Sequence, residues 1–324
     1  MVQDLVQRIL SGDRRALSRL ITLVDEQDAR LPDLLQALRP HTGGAYCIGV
    51  TGPPGSGKST LVDSLAMLMR REERSVGILA VDPTSPYTGG ALLGDRIRMQ
   101  RHYLDTGVFI RSMATRGSRG GVATALRWAV QVLDAAGKEM VLVETIGVGQ
   151  ADVDVATVAD TVVVVLVPEA GDAVQTMKAG LTEIADIFVV NKADREGAQR
   201  VVTALKASLS LGKQEAGWQV PVVATQAYEG EGVAELYAEI QEHRKFLESS
   251  SRLEIRRRKR RRYAFLLAVE EALHARLTRL LYEHGALADV AQAVEQGELD
   301  PLIAAKSLVE GRDLSALLPS PAQE

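Results

Sequence analysis

Residues 52–59 read Gly-Pro-Pro-Gly-Ser-Gly-Lys-Ser, and this G-x-x-x-x-G-K-S spacing constrains the fold more than any other feature of the chain. Such a run works between a strand and a helix. Its glycines let backbone N–H groups close around phosphate, and the helix start adds a favourable dipole. The flanks agree, with the apolar run 45–51 before it and a helical pattern over 58–73 after it. Lys58 is spaced to reach β- and γ-phosphate oxygens, and the Ser59 hydroxyl to ligate Mg2+. The phosphate-binding candidates are therefore Gly52, Pro53, Pro54, Gly55, Ser56, Gly57, Lys58, Ser59 and Thr60.

Further apolar runs recur at 76–82, 108–112, 140–144, 161–167, 187–191 and 220–225. Their hydrophobicity is continuous rather than alternating, the mark of strands buried on both faces. Helical stretches such as 121–136 lie between several of them, so the expected class is α/β, a doubly wound, mostly parallel sheet of the P-loop NTPase type. Before it, apolar residues at helical spacing over 3–39, broken at Ser11-Gly12, predict a small helical cap. From about residue 233 the periodicity is helical to 310. Its apolar stripe (Phe265, Leu266, Val269, Leu273, Leu277, Leu280, Leu281) is suited either to packing on the nucleotide domain or to pairing with a second copy. The expected organisation is an N-terminal helical extension at 1–42, a nucleotide domain at 43–248 and a C-terminal helical segment at 249–324.

Asn191-Lys192-Ala193-Asp194 follows the run 187–191. A carboxylate there accepts from the N1–H and 2-amino group of guanine, and adenine offers neither donor, so Asp194 favours GTP over ATP. Glu144-Thr145-Ile146-Gly147 ends another buried run, where P-loop enzymes keep an acid for Mg2+ and a glycine N–H for the γ-phosphate. Asp82 and Asp95 are further carboxylates that suit a hard cation or, equally, a helix cap or turn. Val148 stands where small GTPases carry a water-orienting glutamine, so unaided hydrolysis is expected to be slow. A partner's residue, or Lys178 from this chain, would complete the site.

A net charge of -4 argues against a general nucleic-acid binder. The run Arg256-Arg257-Arg258-Lys259-Arg260-Arg261-Arg262 has three readings: a solvated helix face, a patch for an acidic partner, or an RNA contact. The five histidines (His41, His102, His243, His274, His284) lack ligand spacing and read as surface residues. The single cysteine, Cys47, lies in an apolar run, which excludes an intrachain disulfide. No secretion signal or bilayer-length apolar run is evident, so the expected compartment is the cytoplasm.

Several segments together resemble the MeaB/ArgK group of P-loop GTPases: GPPGSGKST (52–60), VDPTSP (81–86), GALLGDRIRM (90–99), FIRSMATRG (109–117), ETIGVGQ (144–150), GDAVQTMKAGLTEIADI (171–187), NKAD (191–194) and GELDPLIAA (297–305). The resemblance implies a homodimeric GTPase, joined through C-terminal helices. It would gate loading, protection or reactivation of an adenosylcobalamin-dependent acyl-CoA mutase. Carried over residue by residue, Lys58 and Ser59 hold phosphate and metal; Ser59, Asp82, Asp95 and Glu144 surround Mg2+; Asn191 and Asp194 read guanine; and Lys178 sits in a switch facing the mutase. Residues 226–228 (Gln226, Ala227, Tyr228) match the last base-contacting loop, with Gln226 in place of an expected serine. Ser118-Arg119 also depart from the pattern. No Asp-x-His-x-x-Gly segment is present, so adenosylcobalamin belongs to the partner. The competing readings are a nickel-type metallochaperone, which should carry a His- or Cys-rich segment, a GTP-dependent kinase, and an RNA-associated GTPase.

Overall fold

Each strand of the sheet carries residues that alternate between two cores, so one sheet joins two hydrophobic layers. A computed structural model of the chain describes residues 2–82, 99–102, 104–114, 121–147, 154–168, 181–211, 217–282 and 286–310. The strands are β1 (Tyr46–Thr51), β2 (Val76–Asp82), β3 (Val108–Ala114), β4 (Met140–Glu144), β5 (Thr161–Leu166), β6 (Ile187–Asn191) and β7 (Val222–Thr225). They form one sheet in the order β3-β2-β4-β1-β5-β6-β7, and every pairing is parallel. The expected doubly wound parallel sheet is therefore present. In β1, Tyr46, Ile48 and Val50 face one core and Cys47 the other, the period of two that a pleated strand imposes.

One layer is built on α4 (Lys58–Arg71), which contributes Leu61, Leu65 and Met69, and a later helix at Val233–Ser249, which contributes Leu236 and Ile240. The other contains α5 (Gly121–Ala135) and α6 (Ala198–Leu211), with Ala129, Val132 and Leu205 buried. The three N-terminal helices, α1 (Val2–Leu10), α2 (Arg14–Asp25) and α3 (Leu31–Leu38), share this second core: Leu20 and Ile21 are fully buried in it. The break expected at Ser11-Gly12 is a turn ended by Asp13, whose carboxylate caps α2 by accepting from the N–H of Arg15 at 2.8 Å and of Ala16 at 3.1 Å.

The helix Val233–Ser249 (α7) is followed by the 31-residue α8 (Arg252–Tyr282), then α9 (Ala286–Glu295) and α10 (Pro301–Val309). The chain divides into two compact units, Met1–Arg261 and Arg262–Glu324. In the second, Asp300 caps α10 by accepting from Leu302 and Ile303 N–H, and Phe265, Leu266, Val269, Leu273 and Leu277 are exposed. No described helix is long and apolar enough to cross a membrane.

Because the N-terminal helices belong to the core, Leu20→Ala should destabilise the protein by about 2–5 kcal/mol, the range for emptying a fully buried leucine site. The shift in the urea unfolding midpoint measures it, and a change below about 0.5 kcal/mol would mean that α2 is a detachable ornament.

Candidate functional site

The sheet order reverses at β1, which lies between β4 and β5, and open parallel sheets collect ligands at the carboxyl ends of strands beside such a point. The 52–59 turn leaves β1 there and enters α4, whose first residue is Lys58. Lys58 is 5 % exposed, and its Nζ donates to the carbonyls of Gly52 at 2.8 Å, Pro53 at 3.0 Å and, more weakly, Ile146 at 3.4 Å. The last contact brings the segment after β4 onto the turn. Gly147 has φ 91°, and a Cβ there would overlap the Gly52 carbonyl and stand 2.7 Å from Lys58 Nζ, so only glycine permits this approach.

Glu144 ends β4, and its Oε1 accepts from the Ser59 hydroxyl at 2.6 Å. Asp82 ends β2, the strand on the other side of β4, two positions past Ala80, the register partner of Glu144. Both carboxylates are at least nine-tenths buried. Oxygen donors of this kind suit a hard divalent cation. Asp95 and Lys178 lie outside the described residues, as do Val148 and Ser118-Arg119. Among the described residues no group of three carboxylates, histidines or cysteines is gathered for a metal, and Ser59 and Glu144 are joined directly.

The side chain of Asn191, at the end of β6, ties three segments together. Its Nδ2 donates to Ser56 O at 2.8 Å, and its Oδ1 accepts from Thr225 Oγ1 and Ala227 N–H, each at 3.0 Å. Beside it opens a cavity of about 280 Å³ lined by Thr60, Lys192, Asp194, Gln226, Ala227 and Tyr228 among others. Its volume lies near the low end of the range for small-molecule sites. Tyr228 is 83 % exposed at its rim. Gln226 donates its side-chain amide to Glu231 and its N–H to the Glu231 carbonyl at 3.0 Å, so the glutamine closes the loop 226–231.

Two histidines correct the expectation of surface residues. His102 is 4 % exposed with its Nε2 3.1 Å from Asp63 on α4, and His243 is fully buried with its Nε2 3.3 Å from Asp186. The Asp63 carboxylate raises the His102 imidazole above its ordinary value, against the opposing effect of burial. Neither pairing had a signal in the sequence, because each partner is distant along the chain.

Asn191→Ala strands the buried hydroxyl and amide that it serves, and should cost about 1–3 kcal/mol in urea unfolding. A raised folded-state histidine contributes stability that is complete below its unfolded value of about 6.5 and is lost as pH rises through the folded value. Wild type should therefore lose melting temperature relative to His102→Gln as pH climbs from 6.5 to 8.5; parallel curves would refute the pairing.

The chain is similar to known proteins along most of its length. A model of the family described as methylmalonyl Co-A mutase-associated GTPase MeaB matches residues 17–280. A putative GTPase of Pyrococcus abyssi is 50% identical over 313 residues, 96% of each chain. The mitochondrial methylmalonic aciduria type A homolog of Mus musculus is 31% identical over 277 residues, 79% of this chain and 66% of that protein. Among solved structures, a LAO/AO transport system kinase superposes with a TM-score of 0.72 at 28% identity, covering 95% of this chain and 96% of that one. The glycine turn, the acid closing β4 and the Asn-Lys-Ala-Asp segment thus occur in a chain that belongs to the MeaB family of P-loop GTPases.

Proposed function

We propose that this chain binds Mg-GTP, hydrolyses it, and uses the cycle to load, protect or reactivate an adenosylcobalamin-dependent acyl-CoA mutase. The observation that carries the nucleotide reading is the Ser59–Glu144 hydrogen bond at 2.6 Å, formed beside Lys58 and Gly147. A hydroxyl and a carboxylate this close form an oxygen pair that fits Mg2+, and they stand where phosphate oxygens would meet the cation. Bound Mg2+ would neutralise charge on the β- and γ-phosphates.

Lys58 exchanges its carbonyl partners for phosphate oxygens, and the Gly147 N–H meets the γ-phosphate. Asp82, Asp95 and Glu144 hold the metal or its waters. Asp194 accepts from guanine while Lys192, Gln226, Ala227 and Tyr228 wall the base, and Asn191 keeps the phosphate and base loops in register. With Val148 in the water-orienting position, hydrolysis is slow until a partner, or Lys178, completes the site.

The mutase reading rests on the family description and on the name of the mouse relative. The exposed stripe from Phe265 to Leu277 supports a homodimer formed through the segment 249–324, beside a nucleotide domain at 43–248 and an N-terminal extension at 1–42. The cobalamin belongs to the mutase, and the cytoplasm is the expected compartment.

GTP hydrolysis by the purified protein, alone and with a panel of acyl-CoA mutases, tests this reading, with Lys58→Ala as the blank. One mutase should accelerate turnover at least about tenfold, a coupling of ordinary size. Acceleration by none, with GTP still bound, removes the mutase role. Asp194→Asn replaces an acceptor with a donor, so GTP affinity should fall at least about tenfold while xanthosine triphosphate, with a carbonyl at position 2, binds better. Unchanged GTP affinity would place the base elsewhere.

A further inference from the structure

A second, smaller cavity of about 140 Å³ adjoins the base cavity, and Thr60, Ala227 and Tyr228 line both. Its other walls are Ser59, Asp63 and Ser64 of α4 and Arg101 of the short turn Gln100–His102. The Ser64 hydroxyl donates to the Ala227 carbonyl at 2.9 Å and ties α4 to the loop after β7. Arg101 comes from a distant part of the chain, and its neighbours seat it against α4 on both sides. Met99 is buried in the same core as Leu61 and Leu65, and the buried His102 keeps its Nε2 3.1 Å from Asp63 Oδ1. Arg101 itself is exposed, with its Nη1 3.9 Å from the Met67 sulfur.

The place of this cavity limits what can enter it. Ser59 and Thr60 close the phosphate-binding turn, and Thr60, Ala227 and Tyr228 also bound the space beside Asp194. A nucleotide with its phosphates on that turn and its base against Asp194 carries its sugar past Thr60. The sugar is therefore the part that faces the smaller cavity, whose volume is too small for a separate small-molecule site.

The charged groups of the lining are one guanidinium and one carboxylate. A guanidinium only donates and an ionised carboxylate only accepts, whereas each hydroxyl of a vicinal diol does both. A neutral diol thus suits the pair, while an additional phosphate would meet the Asp63 charge.

We infer that Arg101 and Asp63 bind the 2′,3′-diol of the guanine nucleotide's ribose, Arg101 donating to one hydroxyl oxygen and Asp63 accepting from a hydroxyl proton. His102 is a positioning residue that holds the turn of Arg101 against Asp63. The inference deepens the GTPase reading and rests on it: the site selects ribonucleotides over deoxyribonucleotides.

Dissociation constants of the full chain for GDP, 2′-deoxy-GDP and 3′-deoxy-GDP, measured by titration calorimetry with Mg2+ present, test it. Wild type should bind GDP at least about fivefold more tightly than one of the deoxy forms, the scale of a hydrogen bond to a charged group. Arg101→Ala should weaken GDP and leave that deoxy form unchanged, so that the preference shrinks toward one. His102→Gln should shrink it in the same direction; a lower urea midpoint with the full preference kept would overturn the positioning role. Equal wild-type affinity for all three nucleotides overturns the inference. So does an Arg101→Ala variant that keeps the preference, including one that weakens all three by the same factor, since that result places Arg101 on a phosphate. Arg101 is exposed, so its substitution decides the matter even where His102→Gln fails to fold. Wild type that binds none of the three overturns the GTPase reading and this one with it; wild type that binds all three alike sinks only this one.

Discussion

One carboxamide holds the candidate site together. Asn191 joins the glycine-rich turn at Ser56 to the loop that begins at Gln226, through Ala227, and to the end of β7 through Thr225. These segments come from regions far apart in sequence, and the parallel sheet brings their strand ends to one edge without fixing their relative height. A buried amide that donates once and accepts twice supplies that registration, which backbone pairing alone does not. The separation between the 52–59 turn and the 226–231 loop follows from this side chain.

The fold was largely legible because a parallel sheet buried on both faces writes itself as continuous apolar runs. All seven expected runs are strands, and the phosphate turn sits between strand and helix as its spacing requires. Glu144 and Asn191 were findable for the same reason: each ends a buried run, Gly147 follows three residues after Glu144, and the carboxyl ends of such strands share one edge. The cap expected over 3–39 is helical, though its hydrophobic stripe alone did not reveal that the helices would join the core of the sheet.

What escaped the sequence was pairing across long separations. The aspartates Asp63, Asp160 and Asp186 carry no local mark, since a carboxylate beside a strand looks the same whether it meets water or an arginine many residues away. The run 256–262 reads in sequence as a solvated helix face, a patch for an acidic partner or an RNA contact; the structure divides it, and the i, i+1, i+4 spacing of Arg256, Arg257 and Arg260 is the available clue. An outward-facing polybasic surface would be uniform around the helix, whereas a run that alternates in burial is already half committed to its own fold.

Cys47 sits in β1 in the core that also holds Val155, Val158 and Ala159, its N–H donates to Asp160, and burial pushes its thiol well above the ordinary range. In the folded chain this thiol is buried, and it is the single cysteine of the sequence. Alkylation there proceeds through states in which the central strand has parted from its cover, so the labelling rate clocks that opening event without any engineered probe. The protein carries its own isotope-free exchange reporter at the central strand from which the glycine-rich turn leaves.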